Sequence, residues 1–191
     1  MTPLPGHPFW YLRHGQTDWN AANLAQGAVD IPLNETGRAQ AREAAEALAD
    51  KGIAAIAVSP LARARATAAA VAARTGLTPR ILPDLREVAF GVMEGRPMGP
   101  WFEEWVAGRA TPDGAESFAA LRQRATAALA EALGSALGAP GPVLVVAHGS
   151  LFRALRAEMG LSPTVRTGNG RPIHCRPPAL PGEAWELESL Y

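Results

Sequence analysis

Phe9-Trp10-Tyr11-Leu12-Arg13-His14-Gly15-Gln16-Thr17-Asp18-Trp19-Asn20 opens with four apolar and aromatic residues and then changes character without a break. The apolar run has the composition of a buried strand. Glycine at position 15 lets the chain leave that strand with backbone and side chains close to a ligand. The side chains delivered there are a permanent cation with a planar donor fork and an imidazole. That pair suits an anionic substrate with a nucleophile or general base beside it. Arg-His-Gly alone is a weak motif, since a strand-closing histidine bonded to a carbonyl explains it equally well. The rest of the chain has to decide.

A length of 191 residues suits one domain, residues 1–191, with a sizeable core. The formal net charge is zero, which argues against nucleic acid as a partner. Among the 18 basic residues only Lys51 is a lysine. Cys175 is the sole cysteine, so an internal disulfide and any multi-cysteine metal site are excluded. Residues 1–8 carry no basic and apolar leader pattern, and no apolar run is long enough to span a bilayer. A soluble, cytoplasmic protein with no membrane partner is expected.

Along the chain, strand one covers 9–12 and an aperiodic loop covers 20–33. Asn34 caps a helix running to about Asp50, which Gly52 ends. A second strand, 53–58, leads into a helix opened by Ser59-Pro60 and stopped by Gly76. A short strand is expected over 78–82. Residues 83–111 are irregular, with Trp101, Phe102 and Trp105 suggesting a short helix that packs as a lid or clamps substrate. Ser117 caps a long amphipathic helix. Val143 to Ala147 is unbroken apolar sequence, as expected of a strand covered on both faces. His148-Gly149-Ser150 then opens a helix ending near Gly160, and one or two strands follow, around 173–176 and 185–187. Alternation of this kind predicts an α/β layered fold with a mainly parallel sheet. Ligands in such sheets sit at the carboxyl ends of the strands. Arg13 and His14, Arg63 and His148 all fall at such ends.

Five blocks, in order, resemble the histidine phosphatase superfamily in its phosphoglycerate mutase-like branch. They are Arg13 to Asn20, Asp30-Ile31-Pro32-Leu33-Asn34-Glu35-Thr36-Gly37, Ser59-Pro60-Leu61-Ala62-Arg63-Ala64 with Thr67-Ala68, Leu85-Arg86-Glu87 with Phe90-Gly91 and Glu94-Gly95, and Val146-Ala147-His148-Gly149-Ser150. The resemblance implies a three-layer α/β/α sandwich around a mostly parallel six-stranded sheet, and catalysis through a phosphohistidine. By position it makes His14 the nucleophile and Glu87 the proton donor. Arg13, Arg63 and His148 would hold the phosphoryl oxygens, with Asn20, Thr17, Gln26, Gly27 and Gly149 around the substrate. Glu94 competes with Glu87 for the acid role, and Arg63 has the alternative of a solvated helix residue like Arg65.

The residue types fit the reaction. Imidazole attacks phosphorus only when neutral, and two arginines supply positive charge around the equatorial oxygens. His148, if protonated beside a dianion, would add a further charged donor. With that charge in place, no metal and no cofactor is expected. A carboxyl group can protonate the leaving alkoxide and later take a proton from water. Mutases of this superfamily carry a tyrosine and a lysine after the glutamate and a longer, basic insertion. Here Phe90 and Met98 stand at those positions, which is similar to the small phosphatases of the group, the α-ribazole phosphatase-like enzymes among them. A phosphomonoesterase acting on a small phosphorylated metabolite is therefore expected. Mutase-type transfer and a non-catalytic phospho-ligand binder remain as alternatives. The organic half of the substrate would meet 95–114, the loop of 19–30, and Arg166 or Arg171. The oligomeric state is open, with a homodimer the common form for small α/β enzymes.

Overall fold

The computed structural model describes residues 4–135, 138, 140–180 and 182–191. The chain runs β1 (Phe9–Arg13), α1 (Asp18–Ala21), α2 (Glu35–Leu48), β2 (Ala55–Val58), α3 (Ala62–Thr75) and β3 (Arg80–Ile81). After 3-10 turns at Pro83–Leu85 and Gly91–Met93 come α4 (Pro100–Val106), α5 (Phe118–Gly134), β4 (Val143–Ala147), α6 (Gly149–Glu158), β5 (Pro172–Arg176) and β6 (Glu186–Ser189). The six strands form one sheet in the order β3-β2-β4-β1-β5-β6. The sheet is mixed and mostly parallel: β5 runs against β1 and β6, and the other pairs are parallel.

Side-chain alternation along β1 explains why its sequence is apolar throughout. Trp10 and Leu12 face one layer with Ile56, Val58, Leu144 and Val146, under α2 and α3. Phe9 and Tyr11 face the other with Val143 and Val145, under α5 and α6. Both faces are covered, so every position of β1 and β4 is buried. Among the described residues no helix is long and apolar enough to cross a membrane.

Several boundaries differ from the sequence reading, each for a local reason. The Asn34 side chain does cap α2, accepting from Gly37 N, but the helix ends at Leu48 with Ala49 still right-handed, three residues before Gly52. Helix α3 begins at Ala62, not at Pro60. Its free N-terminal amide at Ala62 is bonded by Asp30 Oδ1 at 2.8 Å, a cap supplied from the preceding loop. Ser59 is thereby released from capping. The loop after β1 contains the short helix α1, whose N-cap Thr17 forms a reciprocal capping box with Asn20. Strands β2 and β3 are shorter than expected, and β6 starts one residue later.

The glycine after β1 serves packing. A Cβ on Gly15 would stand 2.3 Å from Gly37 O, and one on Gly37 would stand 2.0 Å from Gln16 O. Two glycines thus let the first turn of α2 press backbone to backbone on the loop that carries His14.

Candidate active site

Strand register alone brings the two motif histidines together. In the parallel β1–β4 pair Arg13 lies opposite Ala147, so His14 and His148 follow side by side. His14 N donates to Ala147 O at 3.0 Å, and the two imidazole centroids are 5.2 Å apart. Strand β2 adds Ser59 on the other flank of β4, with Val58 opposite Val146.

His14 is set up as a neutral base. Its Nδ1 lies 2.7 Å from Gly15 O. A carbonyl only accepts, so Nδ1 carries the hydrogen and Nε2 keeps its lone pair. Burial, then the charges of Arg13 and Arg63, push the ring well below the usual histidine range. Burial pushes His148 down as well, reinforced first by Arg63 and then by His14 and Arg13. His148 Nε2 lies 2.6 Å from Ser59 Oγ, which also accepts from Leu61 N. Where the Ser59 hydroxyl donates to Nε2 the neutral ring carries its hydrogen on Nδ1, and in the other tautomer Nε2–H donates to Ser59 Oγ.

The arginines are anchored by only part of their forks. Arg63 donates from Nη1 to Val29 O and from Nη2 to Gly27 O, at 2.7 and 2.9 Å. It is fully buried, which excludes the solvated-helix reading. Arg13 donates from Nη1 to Thr167 O at 2.6 Å. Gly149 leaves it room, because a Cβ there would lie 3.2 Å from Arg13 Nε. Burial lowers Arg13 to about 10, so it stays charged at neutral pH. Among the described residues the buried side-chain atoms without a hydrogen-bond partner are Arg13 Nε, Arg63 Nε and His148 Nδ1. Three orphaned nitrogens clustered around one histidine would cost stability unless something accepts from them.

The carboxylates separate cleanly. Glu87 Oε1 accepts from Val88 N (3.1 Å) and Leu151 N (3.0 Å), and Oε2 from Ser150 N (2.9 Å). It thus bridges the 85–88 segment to the N-terminus of α6, where the helix dipole favours negative charge. Arg124 fixes that segment, donating to Asp84 O and Arg86 O while paired in a fork with Glu116. Glu94 Oε1 accepts from Ala28 N and Phe90 N and ties loops together.

A cavity of about 240 Å³ opens over these groups, lined by Arg13, His14, Arg63, Glu87, Gly149 and Ser150 among others. Asn20, Gln26 and Gly27 also line it, but Glu94, Thr17 and His148 do not. Thr17 is buried behind the wall, its hydroxyl donating to Gln26 Oε1. His148 is fully buried beside His14. Of the three α4 aromatics, Phe102 reaches the cavity while Trp105 is sealed between Phe90 and Phe118. Arg166 lines the cavity, whereas Arg171 donates to Tyr191 O instead. Asn169 was invisible to motif reading, yet its Nδ2 donates to His14 O (2.9 Å) and Asn20 Oδ1 (3.1 Å). Arg153, one turn into α6, lines the cavity and is likewise missed by the sequence reading. No group of three or more His, Cys, Asp and Glu among the described residues is arranged to hold a metal ion.

The family profile described as histidine phosphatase superfamily (branch 1) matches residues 9–167. The chain belongs to that superfamily. It is an enzyme of this group, and its blocks from Arg13 to Ser150 all fall within the matched span. A Yersinia pestis (strain Pestoides F) protein named probable phosphoglycerate mutase GpmB is 38% identical over 160 residues, covering 78% of this chain and 73% of that one. A solved structure named mycobacterial hydrolase 1 aligns with a TM-score of 0.83 and 32% identity, covering 95% of this chain and 96% of that one. Mycobacterial glucosyl-3-phosphoglycerate phosphatase, solved with VO3, aligns with a TM-score of 0.82 at 31% identity, over 96% and 97% of the two chains.

Proposed function

We propose that this histidine phosphatase superfamily member is a phosphomonoesterase working through a phosphohistidine on His14. The observation that carries the reading is the neutral His14, its Nε2 free, among buried arginine and histidine nitrogens that lack an acceptor. In the first step Nε2 bonds to phosphorus as the ester P–O bond breaks, and the leaving oxygen takes a proton from Glu87. In the second step water attacks phosphorus, Glu87 takes its proton, the P–N bond breaks and phosphate leaves. Arg13 and Arg63 hold the equatorial oxygens, and His148 donates from Nδ1. Most of the work is positioning and charge, as phosphoryl transfer requires.

Hydrolysis is favoured over mutase transfer by Phe90 and Met98, which put apolar side chains on the cavity wall. The similar phosphatase and hydrolase structures also align over 95% and 96% of this chain. The intact set His14, Glu87, Arg13, Arg63 and His148 speaks against a non-catalytic binder. Phosphate release from p-nitrophenyl phosphate tests the reading: His14→Ala should lose at least roughly a thousandfold in rate. Equal rates for the two proteins would remove His14 from the reaction. Efficient interconversion of 2- and 3-phosphoglycerate would make the enzyme a mutase.

A further inference from the structure

The end of β1 is held from two directions. Its parallel neighbour β4 accepts from His14 N through Ala147 O. The turn that leads into β5 supplies the rest. Thr167 O, 154 positions from Arg13 in the chain, accepts from Arg13 Nη1 at 2.6 Å. Gly170 N donates to Arg13 O at 3.0 Å, and Asn169 Nδ2 donates to His14 O at 2.9 Å. Gly170 is seated by a close approach: at φ +65° its Cβ would lie 2.6 Å from the Cβ of Gln40 on α2. Gln40 Oε1 in turn accepts from Gln16 N at 2.8 Å. Asn169 therefore stands on a turn that is fixed on both sides to the segment carrying His14. The matched family span stops at residue 167, so Asn169 lies outside it.

The direction of each amide follows from its partners. Thr17 N can only donate, and it meets one side-chain atom of Asn20 at 3.2 Å, so that atom is the oxygen. Asn169 places a side-chain atom near His14 O, which only accepts, and 3.1 Å from Asn20 Oδ1, so this atom is the nitrogen. Asn20 Oδ1 thus accepts twice, once within the capping box of α1 and once from Asn169. Its NH2 group is the end left over, and among the described residues it donates to no protein atom. Asn20 lines the cavity together with Arg13, His14 and Arg63, whereas Asn169 stands behind it. Turned over about its last bond, the Asn20 side chain would present an oxygen to the cavity, an acceptor facing an anion. The Thr17 bond, at the long end of the normal range, is one lock against that turn, and Asn169 is the second.

We propose that Asn169 is a positioning residue that locks the Asn20 amide with its NH2 group toward the phosphoryl oxygens. It touches neither the reacting atoms nor the substrate. Its bond to His14 O ties the lock to the nucleophile's own backbone, so that donor and nucleophile keep one spacing. The inference rests on the phosphatase reading of the site, in which the cavity takes a phosphoryl group.

The test is a double-mutant cycle read by calorimetric titration with inorganic phosphate, which needs no turnover. Asn169→Ala should weaken phosphate binding at least about fivefold, the worth of one hydrogen bond. In an Asn20→Ala background the same change should weaken it less than about twofold. Should Asn169→Ala not fold, Asn169→Ser, too short to reach both acceptors, replaces it in the cycle. A spectroscopic reading separates the lock from general loosening. The Asn20 side-chain NH2 signals in nitrogen-15 correlation spectra, assigned by their loss in Asn20→Ala, should shift on saturation with phosphate in the wild-type protein and stay in place in Asn169→Ala. A loss under about twofold in the wild-type background overturns the proposal, as do equal losses in both backgrounds. So does an Asn20 signal that shifts alike in both proteins, or a wild-type protein that takes up no phosphate. Failure to hydrolyse p-nitrophenyl phosphate, with the cycle as expected, strikes the phosphatase reading and leaves the lock standing.

Discussion

Replacing Glu87 with Gln separates two duties that the structure gives to one side chain. The carboxyl group accepts three backbone N–H bonds, at 3.1, 3.0 and 2.9 Å, two of them from the first turn of α6. A glutamine has one carbonyl oxygen, which can keep the pair on Oε1, and it turns an NH2 group against Ser150 N–H. One charge-assisted bond is lost, worth about 1.5–3 kcal/mol, together with about 0.3–1 kcal/mol of interaction between charge and helix terminus. A loss of roughly 2–4 kcal/mol lowers the midpoint of thermal unfolding by roughly 5–15 °C for a chain of this size. The catalytic duty is read by changing the leaving group. With an alkyl phosphate, whose leaving oxygen needs a proton, kcat should drop by roughly 10²–10⁴. With p-nitrophenyl phosphate, whose phenolate leaves unaided, the drop in the first chemical step should be under about tenfold. Equal losses on both esters would refute the assignment of Glu87 as proton donor and turn attention to another group. An unchanged midpoint would refute the capping energetics.

The two buried histidines set a pH dependence of stability. Both are held below their unfolded value near 6.5, so the unfolded chain binds protons first as the solution is acidified. Their contribution is complete above about pH 6.5 and is lost as the pH falls toward the folded values, by about 1.4 kcal/mol per pH unit for each ring. Urea midpoints should stay level from pH 7.5 to about 6.5 and fall below it, less steeply in His14→Gln, and a profile flat down to pH 5.5 would contradict this. Gly37→Ala places a Cβ 2.0 Å from Gln16 O, where neither backbone can yield. It should lower kcat/KM at least about a hundredfold through displacement of the His14 loop, and wild-type kinetics would show that the close approach is dispensable.

What the sequence disclosed and what it withheld divide along the chain's range of interaction. Val143 to Ala147 reads as a doubly covered strand because burial on both faces removes polar residues from every position. Asn34 reads as a cap because its partner, Gly37 N, is three residues away. The start of α3 was misplaced because its cap, Asp30, comes from 32 positions earlier, and Ser59 turns instead to His148, 89 positions later. In the site, Arg13, His14, Arg63, Glu87 and His148 are legible as motif members, and the strand register explains why Arg13, His14 and His148 meet. Asn169 and Arg153 carry no local signature. Their meaning lies in contacts with residues such as His14, 155 positions distant, and Phe102. The state of His148 was also beyond sequence, since burial and the Arg63 charge decide it.

The central claim is that phosphorus is transferred to Nε2 of His14 before water takes it. Mixing the wild-type protein with a phosphate monoester, quenching within the first turnovers into alkali, and mapping the phosphoryl group by peptide mass spectrometry tests it most directly. The account predicts a phosphoryl group on the peptide holding Arg13-His14-Gly15, present in Glu87→Gln with a good leaving group and absent in His14→Ala. A phosphoryl group on another residue, or none at all while ester is being consumed, would contradict it.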